Sequence, residues 1–219
     1  MDDFYTPDQR RFQDSFDSRP LADALVQVMV RPTIDDEAAG FIGSRDFFFL
    51  ATVNDEGEPT VSYKGGAPGF VRVLDSTTLA FPSYDGNGMY LSMGNIATSA
   101  KIGLLFIDLE TPHRLRVQAS ASLAPDHDPI VASFPGADVV VIAKVDSVFI
   151  NCGRYIHKHT RTEQSPYVPD ANGEQPLPAW KRIDGLQSVL PPKDLGRAEA
   201  EGGTITGEEY ARRLAAGSP

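Results

Sequence analysis

Apolar residues along the chain recur with two different periods, and the change between them divides the sequence. Residues 6–9 combine a capping box with a proline at the first helical position, and Phe12 and Phe16 follow at helical spacing. Residues 20–30 and 33–45 repeat that spacing, the second beginning at a Thr33 cap. The first 45 residues are therefore predicted to form helices that pack outside a core.

From Phe47 onwards, short apolar runs separated by Gly, Pro, Asp or Ser predict strands. Residues 115–123 alternate strictly between apolar and polar side chains, the pattern of a strand with one wet face, which points Arg116 away from the core. Seven strands close together indicate a barrel or a sandwich. The predicted strands cover residues 47–53, 59–64, 70–74, 78–81, 101–108, 114–123 and 139–150.

Two regions outside the strands carry helical patterns. Residues 89–97 have the spacing of a helix that crosses the end of the barrel, and Thr206 begins a last short helix through Ala216. Between them, residues 160–178 are polar and contain prolines, and Trp180 gives the tail its one apolar anchor. A tail without its own core has to lie across the domain, reach a partner subunit or be partly disordered.

These patterns predict three regions. Residues 1–45 form an N-terminal helical extension, residues 46–159 a β-barrel domain, and residues 160–219 a C-terminal extension that packs on the barrel or on a dimer partner.

Composition narrows the function. The chain has 219 residues, 41% hydrophobic and 23% charged, which is typical of a globular protein, and its net charge of -10 disfavours nucleic acid and anionic membranes as partners. A single cysteine, Cys152, fits a reducing compartment. With neither a signal peptide nor an apolar run of about 20 residues, the chain is expected to be cytoplasmic.

Four segments carry residues that could bind a ligand, and each also has an ordinary structural interpretation. In residues 62–70, a strand ends at Lys64 and glycines follow it; this pattern indicates either a phosphate-binding site or a flexible hairpin. Residues 81–88 lead from a strand into a helix, which gives free amides for an anion or simply a turn. Residues 113–117 place two arginines on one strand face, where they bind an anion or water.

The fourth segment, residues 151–159, is the densest basic run in an acidic protein. It suits an anionic cofactor or the C-terminus of a helix. His157 and His159 lack a third ligand nearby, so no metal site is expected. Neither a nucleophile motif nor a dinucleotide fingerprint occurs.

In order and spacing, these segments resemble the pyridoxamine 5'-phosphate oxidase-related family of split β-barrels that bind flavin mononucleotide (FMN). The similarity covers roughly residues 35–160 and is closest to a branch with a lysine-glycine strand end and a Gly-Asn pair. It is carried by residues 49–53, Gly57, Pro59, residues 62–70, 71–75, 86–87, 95–96, 103–106 and 115–117, and downstream by residues 151–158 and 167–169.

This resemblance implies a mainly β fold (β+α), a split β-barrel with peripheral helices, and a homodimer with two FMN sites at its interface. One subunit is expected to line each site, while the segment around residues 154–158 approaches from the other subunit or covers the site. The flavin-binding residues that follow are Lys64, Gly65, Arg72, Phe81, Pro82, Ser83, Asn87, Gly88, Arg116, Arg154, Tyr155, His157 and Lys158.

The chain also departs from the family's best-understood members. Where authentic oxidases carry Ser-Arg-Lys at the phosphate, it has Gly86-Asn87-Gly88, so two cations are missing and phosphate binding has to depend on backbone amides with Lys64, Arg72 or residues 154–158. The substrate-binding motif of those oxidases is not recognisable around Trp180 or Arg212. Vitamin B6 oxidation is therefore not expected.

The function expected from the resemblance is an FMN-dependent oxidoreductase that transfers hydride through flavin N5 to or from a small molecule. Lys64 and Arg116 are candidates for stabilising negative charge, and Tyr155 or His157 for donating a proton. The alternative is a protein that binds or carries a flavin, haem or deazaflavin without catalysis.

Overall fold

The structure, a computed structural model, describes residues 4–217. Contacts within the chain divide it into two compact units, with the boundary after Thr162. The three-part division into residues 1–45, 46–159 and 160–219 stays a prediction.

In the described part of the first unit, residues 4–162, there are four α-helices, one short 3-10 helix (Val131–Ser133) and eight strands. The helices are α1 (Pro7–Ser15), α2 (Arg19–Met29), α3 (Asp36–Ser44) and α4 (Leu91–Ser99). The strands are β1 (Val30–Arg31), β2 (Phe47–Val53), β3 (Pro59–Gly65), β4 (Arg72–Asp75), β5 (Thr78–Tyr84), β6 (Lys101–Asp108), β7 (His113–Leu123) and β8 (Ala137–Asn151). Across residues 4–217, no helix is both long and apolar enough to cross a membrane.

All eight strands belong to one antiparallel sheet, in which seven follow the order β3-β2-β6-β7-β8-β5-β4 and β1 pairs with β8 outside this order. The 15-residue strand β8 pairs with β5 along its first half and with β1 along its second half, while β7 runs beside it on the other edge. The terminal strands β3 and β4 do not pair with each other, so the sheet is not closed. The predicted mainly β fold, a split barrel with peripheral helices, is confirmed.

Side-chain alternation creates the core of this barrel. On β7, Leu115 and Val117 are buried whereas Arg116 is exposed, as the sequence pattern predicts. Phe48 of β2 is fully buried, and its ring centroid lies 5.1 Å from that of Phe81 and 5.3 Å from that of Phe106. These aromatic contacts hold β2, β5 and β6 around a common centre.

Two local features differ from the sequence prediction. Asp35, and not Thr33, caps α3, because its Oδ1 accepts a hydrogen bond from the backbone N–H of Ala38 at 2.9 Å. Val30, predicted as a helix end, begins β1 and pairs with Phe149. That pairing partner lies far along the chain, so a local pattern does not reveal it.

The α1–α2 region has less buried surface than predicted. Phe12 and Phe16 are 70% and 77% exposed, and the Leu21 and Leu25 stripe of α2 also faces outward. Helical spacing is therefore present in both helices, but neither contributes a buried residue.

The second unit has buried apolar residues of its own, whereas the sequence predicted a tail without its own core. Its described part, residues 163–217, forms a compact unit with short 3-10 helices, α5 (Arg197–Ala200) and α6 (Gly207–Ala215). Lys181 and Asp194 form a buried ion pair with an N–O distance of 2.7 Å. Trp180 is only half-buried; the fully buried apolar residues are Leu177, Ala179, Leu190, Ala198 and Ile205.

Candidate functional site

A cavity of about 170 Å³ lies where β3 and β5 end beside the first turn of α4. Four predicted site residues line it together: Lys64 from β3, Ser83 from the end of β5, and Asn87 and Gly88 from the following loop. The other lining residues are Ser62, Tyr84, Gly86, Met89, Tyr90, Leu91, Ser92 and Met93.

Lys64 is the one cation among the described residues that line this cavity, and none of those residues carries a carboxylate. Within residues 4–217 the structure shows no hydrogen bond or ion pair from its ammonium group. Burial lowers the pKa of Lys64 below the ordinary 10.5. Burial also raises the pKa of Tyr84, which keeps its hydroxyl protonated at neutral pH. The cavity therefore presents a partly dehydrated positive charge without a counter-ion.

The N-terminus of α4 opens on the same cavity. Tyr90 precedes the helix in a left-handed conformation (φ 47°), and in the described chain no side chain caps this end. The first backbone amides of a helix have no intrahelical partner, and the helix dipole adds partial positive charge there. Leu91, Ser92 and Met93 supply such amides to the lining. Free amides beside an unpaired ammonium make a site for an oxyanion.

The loop before α4 has a defined shape. Asn87 Oδ1 accepts a hydrogen bond from the backbone N–H of Met89 at 3.0 Å, and Gly88 adopts a positive φ of 77°. At the end of the loop, the Tyr90 hydroxyl donates to Asp138 Oδ2 at 2.9 Å, which attaches this end to the start of β8. One hydrogen bond within the turn and one to β8 therefore hold the loop.

Hydrogen bonds between side chains fix α4 to the strands beneath it. The hydroxyls of Ser62 and Ser92 lie 2.8 Å apart. Further along the helix, Asn95 Nδ2 donates to Thr52 Oγ1 at 3.0 Å and to Thr60 Oγ1 at 3.3 Å. The helix N-terminus is thus held in place next to Lys64.

The glycines after Lys64 have a packing role. A Cβ on Gly66 would lie 2.5 Å from the Phe70 ring, and one on Gly65 would lie 2.9 Å from the Tyr63 ring. Close packing of aromatic rings thus accounts for these glycines without a ligand. Gly65 does not line the cavity, and its cofactor-binding role stays a prediction.

Other predicted residues on the barrel lie away from the cavity. Phe81 is a core residue, and Pro82 is buried on the opposite side of β5. Arg72 donates to the carbonyl oxygen of Ser133, and its guanidinium carbon lies 4.3 Å from the Phe134 ring centroid. Because its guanidinium already contacts Ser133 and Phe134, and because Arg72 does not line the cavity, it is not a second cation beside Lys64.

Arg116 and the basic segment, residues 154–159, also lie outside this cavity. The basic segment follows β8 and crosses the β6–β7 turn, where the N–H of His159 donates to the carbonyl of Leu109 at 3.0 Å. Tyr155 is 87% exposed. The side chains of Arg154, Tyr155, His157 and Lys158 have no hydrogen-bond or ion-pair partner among the described residues. Their roles in cofactor binding or proton donation stay predictions.

Two larger cavities in the first unit contain carboxylates beside their cations. One, of about 210 Å³, lies between α2, α3 and the ends of β7 and β8, and the Arg31–Asp35 ion pair lies in its wall. In this smaller of the two, Arg114 also lines the wall with a buried Nε that has no hydrogen-bond partner among the described residues, but Asp35 and Glu37 line the same wall. The other, of about 550 Å³, lies against α1 and α2, where Arg10 pairs with Asp23 at 2.5 Å. Charge already neutralised by a partner is less available to an anionic ligand.

Sequence reasoning missed Ser62 and Ser92 as lining residues. Ser62 lies two positions before Lys64 in a strand, and the two-residue period places both side chains on one face. Ser92 is the second residue of α4, where its position follows from the helix start. The predicted helix over residues 89–97 begins two residues too early, which hides this relation.

Comparisons with known proteins agree with the fold. Residues 34–142 match the family model described as pyridoxamine 5'-phosphate oxidase. No curated protein matches the chain.

Solved structures cover about half to two thirds of the chain. A proposed pyridoxamine 5'-phosphate oxidase from Lactobacillus delbrueckii is 27% identical and covers 54% of this chain and 95% of its own (TM-score 0.44). An FMN-binding protein from Syntrophomonas wolfei is 11% identical and covers 64% and 97% (TM-score 0.41). The haem storage protein HutZ from Vibrio cholerae is 17% identical and covers 53% and 94% (TM-score 0.38).

Since these TM-scores lie below 0.5, the assignment depends on the matched family model and on the observed split barrel. The chain belongs to the pyridoxamine 5'-phosphate oxidase-related family.

Proposed function

We propose that this protein binds FMN with the phosphate in the Lys64 cavity and acts as an FMN-dependent oxidoreductase. The observation that carries the proposal is the unpaired, half-buried ammonium of Lys64 beside the uncapped N-terminus of α4. Family membership supplies the cofactor class. When bound, FMN supplies hydride transfer through N5.

The residues of the cavity fit a phosphate better than an uncharged group. Lys64 and the first amides of α4 bind the oxyanion, while Ser83 and Asn87 add polar side chains to the wall. A Cβ on Gly86 or Gly88 would meet no atom within 4 Å, so the loop leaves room for a ligand. With these donors around it, the phosphate fixes one end of the cofactor.

The first test measures whether the phosphate matters. Apoprotein is titrated with FMN and with riboflavin, and the released chromophore of the purified protein is identified by mass. We expect FMN to bind at least about tenfold more tightly, because hydrogen bonds to charged groups contribute roughly 1.5–3 kcal/mol. Equal affinities, or no binding of either compound, would refute the phosphate site.

We propose that the working form is a homodimer. The cavity of about 170 Å³ is smaller than the roughly 300–1,000 Å³ of typical cofactor pockets, so the flavin ring needs a further surface. Beside Lys64, on the other face of β3, Val61 and Tyr63 are 70% and 63% exposed, and Phe47 stacks on Tyr63 at 5.4 Å. Exposed aromatic and branched side chains on a sheet are suited to an interface.

Light scattering after gel filtration tests this assembly. Wild-type protein is expected to elute as a dimer, and Tyr63→Glu to shift it towards monomer with weaker flavin binding. Thr60→Val on the same strand serves as a control that leaves the exposed face intact. A monomer with undiminished FMN affinity would contradict the interface.

Binding without catalysis is the second candidate. The described lining of the cavity has groups suited to holding a phosphate, and no residue in it is assigned a role in proton transfer, which fits a flavin, haem or deazaflavin carrier as well. Anaerobic addition of NADH or NADPH separates the two functions, because an oxidoreductase bleaches its flavin and recovers the colour in air. A cytoplasmic location stays a prediction from the single cysteine and from the sequence patterns at the N-terminus and in the apolar runs.

A further inference from the structure

Ser62 and Ser92 form a hydrogen-bonded hydroxyl pair in the wall of the Lys64 cavity. Their oxygens lie 2.8 Å apart, and the structure shows no other side-chain partner for either serine within residues 4–217. Ser92 is only 5% exposed. The pair joins β3 to the second residue of α4 at the point where the cavity forms.

The two hydroxyl groups have one more proton than their mutual hydrogen bond uses. Each serine has one hydroxyl proton, and the bond between the two oxygens uses one of them. One hydroxyl proton is therefore left to be donated elsewhere. Because the described lining contains no carboxylate, an oxyanion in the cavity is a suitable acceptor.

The position of the pair complements the other donors. Side chains two residues apart on a strand share a face about 6.5–7 Å apart, so Ser62 accompanies Lys64. Ser92 offers its hydroxyl and, as an early helix residue, its backbone amide. An ammonium, free amides and one hydroxyl then surround the same space.

We propose that the Ser62–Ser92 pair is a phosphate-binding element that donates its remaining proton to the phosphate monoester. This inference rests on the proposed FMN function and assigns part of the phosphate binding to neutral hydroxyls. The pair supplies a donor to a cavity whose loop reads Gly86-Asn87-Gly88 and whose described lining has Lys64 as its only cation.

The two serines can also be seen as a structural tie alone, and a double-mutant cycle separates the roles. If the pair only ties β3 to α4, Ser62→Ala, Ser92→Ala and the double variant all remove the same single bond and have equal effects. If the pair donates to phosphate, either remaining hydroxyl still donates in a single variant, and only the double variant removes the donor.

The experiment measures dissociation constants of FMN and riboflavin for wild type, both single variants and the double variant. We expect the double variant to lose about tenfold in FMN affinity and each single variant at most about threefold, with riboflavin binding unchanged. Ser92→Thr, which keeps a hydroxyl, should retain wild-type affinity. Thr60→Val is the matched control, because Thr60 contacts α4 through Asn95 but does not line the cavity.

These measurements distinguish a phosphate-binding role of the serine pair from a purely structural one. Equal losses in the single and double variants, or a parallel loss of riboflavin binding, would overturn the phosphate role. Melting temperatures of the apoproteins identify variants that are merely unstable, and the ratio of FMN to riboflavin affinity, which a general loss of stability does not change, then provides the comparison. Wild-type protein that does not distinguish FMN from riboflavin would instead refute the proposed function, and this inference with it.

Discussion

The Lys64 cavity and the basic segment, residues 154–159, are two of the cationic regions that the sequence singles out, and they differ in structure. The cavity has one cation, but β3, β5 and α4 enclose it with free amides and hydroxyls. The basic segment has more charge, yet Arg154, His157, Lys158 and His159 are exposed. Water screens exposed charges, whereas a half-buried ammonium retains its attraction for an anion.

The largest expected effect compares a lysine from each region. Lys64→Ala should weaken FMN binding about 10- to 100-fold, because it removes a charged hydrogen bond worth roughly 1.5–3 kcal/mol. Lys158→Ala should weaken it at most about threefold, since exposed charges contribute little. Fluorescence titration measures both. Equal losses would show that the basic segment matters as much as the cavity.

Asp108 lies at the start of the β6–β7 turn that the basic segment crosses, so a substitution there tests whether this turn affects the cavity. Burial opposes ionisation, but hydrogen bonds from Thr111 and Glu110 and the charge of Arg45 hold its pKa at about 2, below 3.8. A lowered carboxyl pKa stabilises the folded state above pH 3.8, and this stability is lost as pH falls towards 2.

Asp108→Asn should therefore lower the free energy of unfolding by about 1–2 kcal/mol at pH 7, and the difference should shrink in acid. Urea unfolding at several pH values measures it, with the exposed Asp126→Asn as control. The preference for FMN over riboflavin should stay the same. A changed preference would mean that the two regions are coupled.

Gly86 and Gly88 provide a matched pair within the cavity loop. Gly88 has a positive φ of 77°, whereas Gly86 does not, and a Cβ on either would meet no atom within 4 Å. Gly88→Ala should cost about 1 kcal/mol of backbone strain and weaken FMN binding about fivefold, while Gly86→Ala should be close to neutral. Identical behaviour of the two variants would show that loop conformation does not affect the site.

The smallest effect is a pH dependence. Because the pKa of Lys64 is lowered, its positive charge is lost at a lower pH than in an ordinary lysine with a pKa of 10.5. FMN affinity should therefore fall as pH rises towards that range. Lys64→Arg, which stays protonated, should flatten the profile of FMN titrations. If the FMN affinity of both proteins falls in the same way with pH, the pH dependence belongs to another titrating group.

Much of the barrel is predictable from local pattern. The limits of β2 and β6 match the predicted residues 47–53 and 101–108, because apolar runs bounded by turn residues define them. The candidate site is only partly predictable. Four of the predicted residues line one cavity: Lys64, Ser83, Asn87 and Gly88. Arg72 instead contacts Ser133 and Phe134. An arginine's partner depends on residues distant in sequence.

The sequence by itself determined the strand pattern, the face on which Arg116 lies, and the strand-loop-helix order that leaves amides free near Lys64. These properties depend on local periodicity and on backbone geometry. Only the tertiary structure decided that Ser62 meets Ser92 and that the basic segment stays exposed. Burial and hydrogen bonding across distant segments depend on packing, so charge density along a chain does not by itself make a binding site.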